Sequence, residues 1–115
     1  MTSQPTLLHI SNDLMASGQI EGQARMAGFR VVTKGSTAKA LEHVSETPVQ
    51  AIVMELGDRP GEVAMLVATG IPVLVYASHI RDAELQAAQQ AGAIAMSRGQ
   101  AASRLREWLL QLPAG

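Results

Sequence analysis

The sequence predicts an α/β fold with a doubly wound, parallel five-stranded sheet in the order 2-1-3-4-5. Short apolar runs alternate with helix-like segments five times along the 115 residues. The runs are apolar at successive positions, which is typical of strands that helices cover on both faces. Because crossovers between parallel strands are almost always right-handed, this alternation favours one doubly wound sheet. The predicted strands are 6–10, 29–33, 51–56, 71–76 and 93–96.

Helical segments fill the gaps between these strands. Gly28 is predicted to terminate the first helix, and Ser36 and Asp82 to cap the second and fourth. Gly18 and Gly22 lie inside the first helix, where each costs ~1 kcal/mol relative to alanine. We therefore expect either a close backbone contact at this pair or a frayed or broken first helix. The predicted helices are about 13–27, 37–46, 62–68, 83–91 and 100–112.

The composition indicates one globular domain over residues 1–115. Hydrophobic residues make up 47% of the chain and charged residues 17%, and there is no cysteine. A net charge of −1 gives no electrostatic basis for binding nucleic acid or an anionic membrane. No apolar stretch reaches the ~18 residues of a membrane span, and residues 1–5 show no secretory signal. We therefore expect a cytoplasmic location.

Common catalytic and cofactor motifs are not found in the sequence. His9, His43 and His79 do not have metal-ligand spacing, and no cysteine completes a site. There is no Gly-x-Ser-x-Gly elbow, no Gly-x-Gly-x-x-Gly motif and no Walker loop. We therefore predict no enzyme activity, no metal and no cofactor. His9 is predicted to be a hydrogen-bonded core residue, His43 to be exposed, and His79 to be a loop residue.

Three stretches resemble response-regulator receiver domains, and together they span essentially the whole chain. Residues 6–13, Thr-Leu-Leu-His-Ile-Ser-Asn-Asp, resemble the first strand and the acidic turn after it. Residues 48–56 resemble the strand that ends in the phosphoacceptor. Residues 70–78 with 87–93 resemble the fourth strand, the fourth helix and the entry to the fifth strand. The chain is also similar to short stand-alone receiver-like proteins, so the resemblance implies a flavodoxin-like fold and a role in two-component signal transduction.

The resemblance also implies a phosphorylation site, because active receivers hold Mg²⁺ and transfer a phosphoryl group to an aspartate. Mg²⁺ requires hard oxygen ligands in near-octahedral geometry, and phosphoryl transfer depends mostly on positioning and charge neutralisation. Here the pattern is degenerate. The positions concerned are Ser11, Asn12, Asp13, Glu55, Asp58, Ala77, Ser78 and Arg98.

Each position departs from the receiver pattern in a specific way. Ser11 and Asn12 align with the acidic pair, and Asp13 follows one residue later, where it could instead cap a helix. Glu55 replaces the phosphoacceptor aspartate with a side chain one methylene longer. Ala77 aligns with the hydroxyl position, with Ser78 next to it.

The lysine position of receivers falls on or near Arg98, and the aromatic position of strand 5 falls on Ala95. Two interpretations of Glu55 remain open. It could be a permanent negative charge in contact with Ser78 or Arg98, or a carboxylate at the sheet's edge that has no function. Arg98 could pair with Glu55 through two nitrogens, or stay exposed and unpaired.

Three functions are compatible with these residues. The first is a degenerate receiver, or pseudo-receiver, that binds a protein partner (a kinase or an effector) without phosphorylation. Its contact surface would run from helix 4 through strand 5 to helix 5, where Trp108 lies and where a homodimer could also form. The second is a genuine phosphoacceptor in a phosphorelay, using Asp58 or another acid. The third is a small-molecule binder, using the crevice lined by Ser11, Asn12, Ser78 and Ser97.

Overall fold

The computed structural model contains one parallel sheet of five strands in the order β2-β1-β3-β4-β5. It describes residues 4–12, 14–56, 60–77 and 82–112. The predicted fold class and strand order are confirmed. β1 has its predicted limits, and the limits of the other strands differ from prediction by at most two residues. The strands are β1 Thr6–Ile10, β2 Arg30–Lys34, β3 Ala51–Glu55, β4 Val73–Ala77 and β5 Ile94–Ser97.

Five helices connect and follow the strands. The third predicted helix is a 3-10 turn, Pro60–Glu62, followed by a short α-helix. Asp82 is the first residue of the fourth helix, so it lies inside the first turn and not before it. The α-helices are α1 Leu14–Met26, α2 Thr37–Glu46, α3 Val63–Val67, α4 Asp82–Gln90 and α5 Arg98–Leu110. Within the described ranges, no helix has both the length and the apolar character needed to cross a membrane.

Helix α5 begins two residues before its predicted start because Ser97 caps it. The Ser97 hydroxyl accepts a hydrogen bond from the Gln100 backbone N–H at 3.2 Å. The Gln100 side chain in turn accepts from the Ser97 backbone N–H at 3.2 Å. This reciprocal pair is a capping box, and the Ser-x-x-Gln spacing that signals it is readable from the sequence. The cap places Arg98 at the first position of the helix, directly at the end of β5.

Two apolar clusters lie on opposite faces of the sheet, because successive side chains of a strand point to opposite faces. Leu8 and Ile10 of β1 face the cluster built with α2, α3 and α4. Leu7 faces the cluster built with α1 and α5. All five residues of β1 and of β4 are buried, and both strands lie inside the sheet. The candidate site lies at the carboxyl ends of these inner strands.

The glycine pair of α1 does not have the structural role that the sequence predicted. Helix α1 is continuous through Gly18 and Gly22. A Cβ atom built at either position would have no heavy atom within 4 Å outside the helix's own backbone. Both the predicted close contact and the predicted fraying or break at this pair are therefore wrong. Gly28, by contrast, ends α1 with a φ of +88°, a conformation that glycine adopts without steric cost, as predicted.

We expect Gly18→Ala and Gly22→Ala each to raise the free energy of unfolding by about 0.5–1 kcal/mol, because alanine restricts the unfolded chain and meets no obstacle in the helix. Gly28→Ala is the matched control. It places a side chain at a positive φ and should lower the stability. Urea unfolding of the three variants measures the difference. A loss of stability in both helix variants would contradict the open space seen here.

Candidate functional site

The candidate site lies at the carboxyl edge of the sheet, where ligands commonly bind in doubly wound folds. Ser11 follows β1, Glu55 ends β3 and Ala77 ends β4. Arg98 begins α5 directly after β5. The parallel pairing of β1 with β3 and of β3 with β4 brings these chain ends to one side of the molecule.

Glu55 is at the centre of the site and is bonded through both carboxylate oxygens. Ser11 Oγ donates a hydrogen bond to Glu55 Oε1 at 2.9 Å. Arg98 Nη2 donates to Glu55 Oε2 at 2.6 Å. The Glu55 side chain is 16% exposed and the Arg98 side chain 49%. One largely buried carboxylate therefore joins the ends of β1 and β3 to the start of α5.

This arrangement corresponds to the paired interpretation of Glu55, with one difference in geometry. An arginine can hold a carboxylate through two parallel nitrogen–oxygen contacts. Among the described contacts Arg98 donates to one oxygen, and the other oxygen accepts from the Ser11 hydroxyl. The pair is charge-assisted and partly shielded from solvent, and such pairs are stronger than hydrogen bonds between neutral groups.

The remaining predicted site residues are only partly placed. Asn12 is exposed, and a Cβ atom at Gly35 would lie 2.7 Å from its Oδ1, so the Asn12 side chain rests on the turn between β2 and α2. Ala77 is buried and offers no hydroxyl group. Asp13, Asp58 and Ser78, together with His79, lie outside the described residues.

The Mg²⁺ ion that the receiver fold implies does not fit the donors described at this edge. Glu55 already accepts from Ser11 and Arg98, so a cation would have to share the carboxylate with both donors. The guanidinium beside the carboxylate also repels a divalent cation. Among the described residues there is no group of three or more histidine and acidic side chains that could hold a metal ion.

A second polar cluster, which the sequence did not indicate, links three strands and helix α1 near the carboxyl end of the sheet. His9 is fully buried in β1, as predicted for a hydrogen-bonded core histidine. Its Nε2 lies 2.8 Å from the Tyr76 hydroxyl of β4, and its Nδ1 lies 3.1 Å from Glu21 Oε2 of α1. Thr33 Oγ1 donates to the same Glu21 oxygen at 2.8 Å. The cluster of His9, Glu21, Thr33 and Tyr76 links four elements of the fold.

The hydrogen-bond partners assign the tautomer of a neutral His9. A carboxylate can only accept, so Nδ1 carries the proton and donates to Glu21. Nε2 then accepts from the Tyr76 hydroxyl. Burial lowers the pKa of His9 below its ordinary value of 6.5, against the opposing effects of the Glu21 hydrogen bond and of the Glu21 and Glu55 charges. The neutral form is therefore the stable one in the folded protein at neutral pH.

The pKa of Glu21 is also shifted by this cluster. Partial burial raises the pKa of Glu21, but hydrogen bonds from His9 and Thr33 and attraction to His9 and Arg25 together outweigh burial. The net result is a Glu21 pKa below its ordinary value of 4.5. Arg25 Nη2 lies 3.5 Å from Glu21 Oε1, one helical turn along α1.

We expect the protein to lose stability on acidification. Both pKa values are lower in the folded state, so the unfolded chain binds more protons between the folded and unfolded values. The loss should begin as the pH falls below about 6.5 through His9 and continue below about 4.5 through Glu21, with a slope of up to about 1.4 kcal/mol per pH unit for each proton. Urea midpoints measured across this range test the slope. His9→Leu should flatten the upper part of the profile, and an unchanged profile in that variant would refute the assignment.

Two other sequence predictions concern the helices. His43 was predicted to be exposed, which is wrong: it is half-buried on α2, and its Nε2 is buried without a hydrogen-bond partner in the described part of the chain. It lies on α2 close to Val44, whose side chain packs against the first apolar cluster. Trp108 of α5 is half-buried and packs against the second cluster. It also lines a groove on the same side of the sheet.

The comparisons with known proteins give a fold but no family. No family model and no curated protein matches the chain. The RcsB response regulator of Salmonella typhimurium matches with a TM-score of 0.75 at 9% identity, over 92% of this chain. This chain spans 58% of the length of that protein.

Two further solved structures match over nearly their whole length. A CheY-like protein, TadZ, from Pseudomonas aeruginosa PAO1 has a TM-score of 0.75 and 20% identity, over 98% of this chain and 99% of that one. The receiver domain of the sensor histidine kinase PA1611, from the same organism, has a TM-score of 0.77 and 16% identity, over 96% and 98%. The latter structure holds a magnesium ion in its active-site cleft. The chain therefore has the CheY-like receiver fold.

Proposed function

We propose that this chain is a receiver-like signalling module that binds a protein partner and whose conformation is set by a permanent ion pair instead of by phosphorylation. The observation that carries the proposal is the Glu55 carboxylate held between Ser11 and Arg98. It lies at the end of β3, where the resemblance places the phosphoacceptor.

The physical argument rests on charge and reach. A phosphorylated side chain adds a charge of about −1.5 to −2 and oxygens that bind cationic groups. Glu55 supplies a permanent negative charge, and its extra methylene extends the carboxylate beyond the end of β3. Arg98 and Ser11 donate to its two oxygens, and Arg98 stands where the resemblance places the lysine that contacts the phosphoryl group. The contact that phosphorylation would create is thus built into the sequence.

The neighbouring positions support a module with a single state. Ala77 stands where the resemblance places a hydroxyl that contacts the phosphoryl group, and it is buried. Ala95 stands where receivers carry the aromatic residue that turns with phosphorylation. It has no rotatable χ angle, so its side chain cannot switch between two orientations as the site changes. A module with these residues would present its partner surface constantly.

The proposed partner surface consists of α4, β5 and α5. Asp82 and Glu84 give α4 negative charge, and Arg104 and Arg106 give α5 positive charge. The partner would be a protein, such as a kinase or an effector; a homodimer held by the opposite charges of the two helices is the alternative. Charge reversals at these positions should abolish partner capture, whereas retained capture would place the interface elsewhere.

Phosphorylation is tested directly with acetyl phosphate and Mg²⁺, followed by intact-mass measurement. The receiver domain of PA1611 serves as the positive control for the reaction conditions. We expect no phosphoryl adduct on this protein. A ligand that binds the folded state raises the thermal midpoint, and since we expect no Mg²⁺ binding, millimolar Mg²⁺ should leave the midpoint unchanged. An adduct that disappears in Asp58→Asn would contradict the proposal and identify a phosphoacceptor.

A further inference from the structure

The two edges of the sheet differ in how they are protected against pairing with another strand. Proteins commonly guard edge strands with charged side chains. The outer strand β2 carries Arg30 and Lys34. The opposite outer strand β5 has the sequence Ile-Ala-Met-Ser and carries no charge. Ile94 of β5 is 47% exposed. Of the two edges, β5 is the one open to strand addition.

Hydrogen bonds inside the sheet show which backbone groups of β5 point outward. Ile52 N donates to Pro72 O and Leu56 N to Tyr76 O, so the even-numbered residues of β4 face β3 and the odd-numbered ones face β5. Because Val75 is the register partner of Ala95, the backbone groups of Ile94 and Met96 bond to β4. The N–H and C=O of Ala95 therefore point away from the sheet. No strand of the described part of the chain pairs with them.

Two grooves flank this strand, one on each face of the sheet. The groove on the α4 side has a volume of about 360 Å³, and Leu85, Gln86, Gln89 and Ala95 are among its lining residues. The groove on the α5 side has a volume of about 410 Å³. Met96 and Trp108 line that groove beside Arg104 and Glu107. An added strand would direct alternate side chains into the two grooves, because side chains alternate between the faces of a sheet.

We propose that an extended, uncharged peptide segment of the partner protein pairs with β5 as a sixth strand, bonded to the Ala95 backbone and seated in both grooves. The proposal rests on the proposed function, because it names the kind of partner that the α4–β5–α5 surface receives. Exposed strand edges bind extended peptides through main-chain hydrogen bonds, and flanking pockets select the side chains.

The chemistry of the grooves defines the segment. Leu85 and Ala95 give the first groove apolar lining, and Met96 and Trp108 do so in the second, so aliphatic side chains fit at alternate positions. Arg104 and Glu107 compensate each other in the second groove, and its lining has no net charge. The first groove has only Asp82 as a charged lining residue. An uncharged segment therefore fits better than a strongly acidic or basic one.

A second copy of this chain fits the edge less well than a peptide does. Its β5 would arrive with its own α4 and α5, and the polar groove rims would then face each other. Gln86, Gln89, Arg104 and Glu107 would lose water on both copies, which is costly for polar groups that are not fully paired. An extended segment has no flanking helices and can enter the grooves alone.

The test titrates the ¹⁵N-labelled protein with the capped peptide acetyl-Thr-Val-Thr-Ile-Thr-Val-Thr-amide. We expect shifts of the Ala95 amide and the Trp108 indole, and slower amide exchange at Ala95. Ala95→Pro removes the outward N–H and should weaken binding by at least about tenfold, whereas Ala95→Val keeps it and should stay within about twofold. Far-ultraviolet circular dichroism and urea unfolding check that both variants fold.

A second measurement does not depend on the protein variants. Two N-methylated versions of the same peptide are made, one methylated on its odd-numbered residues and one on its even-numbered residues. Each version lacks the N–H groups along one side of the extended peptide and cannot pair through that side. One N-methylated register should lose binding by at least about tenfold. Equal binding of all three peptides, unchanged binding to Ala95→Pro, or no shift at millimolar peptide would overturn the proposal.

Two remaining outcomes separate this inference from others. Concentration-dependent dimerisation with a protected Ala95 amide in the absence of peptide would overturn it in favour of a second copy. Peptide binding by a protein that also forms a phosphoryl adduct would support the strand pairing while refuting phosphorylation independence.

Discussion

Replacing His9 with alanine is expected to lower the free energy of unfolding by about 3–5 kcal/mol, because it opens a cavity and removes two buried hydrogen bonds. His9 is fully buried in an inner strand, between Glu21 of α1 and Tyr76 of β4. Urea unfolding followed by circular dichroism measures the loss.

His9→Leu separates the packing contribution from the hydrogen bonds. Leucine retains most of the volume but accepts and donates nothing, so we expect a loss of about 1–3 kcal/mol. Tyr76→Phe removes the hydroxyl that bonds to Nε2. On the His9→Leu background it should cost about 1 kcal/mol less than in the wild type, because the shared bond is already absent. Fully additive losses would show that the 2.8 Å contact contributes nothing to stability.

The second large effect is an asymmetry between the two partners of the ion pair at the site. Arg98→Met leaves a carboxylate that is only 16% exposed with Ser11 as its described hydrogen-bond donor. We expect it to lower the free energy of unfolding by about 1–3 kcal/mol, because a largely buried group loses its strongest partner. Glu55→Gln should cost less than about 1 kcal/mol, because the amide still accepts from Ser11 and the half-exposed guanidinium can turn to water.

The double variant Glu55→Gln/Arg98→Met completes the cycle. It should be more stable than Arg98→Met alone, because it no longer contains an ionised group that is mostly buried and unpaired. Equal stability of the two single variants, or a double variant with the summed loss, would show that the pair is a solvent-exposed contact of no consequence.

The fold was predictable because its signals are local. Successive apolar positions mark the buried strands, and Gly28 stops the helix before β2. Strand and helix limits were less accurate where side chains decide them. The Ser97–Gln100 capping box moves the start of α5 to Arg98, and Pro72 lacks the N–H that an earlier start of β4 would need.

The site was predictable only where the resemblance supplied positions. Glu55 and Arg98 were singled out because they stand where receivers carry an aspartate and a lysine. The role of Ser11 as a donor to Glu55 depends on side-chain geometry 44 residues apart. The cluster around His9 joins residues from α1, β1, β2 and β4, and no sequence spacing relates them. A tyrosine within the apolar run of β4 was the one available hint.

The central claim is that the Glu55–Arg98 pair holds β5 and the start of α5 in one permanent conformation. Amide hydrogen exchange from Ala95 to Ala101, compared among the wild type, Glu55→Gln and Arg98→Met, tests it most directly. The account predicts faster exchange in this segment for both variants, by up to about fivefold in Glu55→Gln and by at least about fivefold in Arg98→Met, with the amides of β1 and β2 unaffected. An exchange pattern that is the same in all three proteins would contradict it.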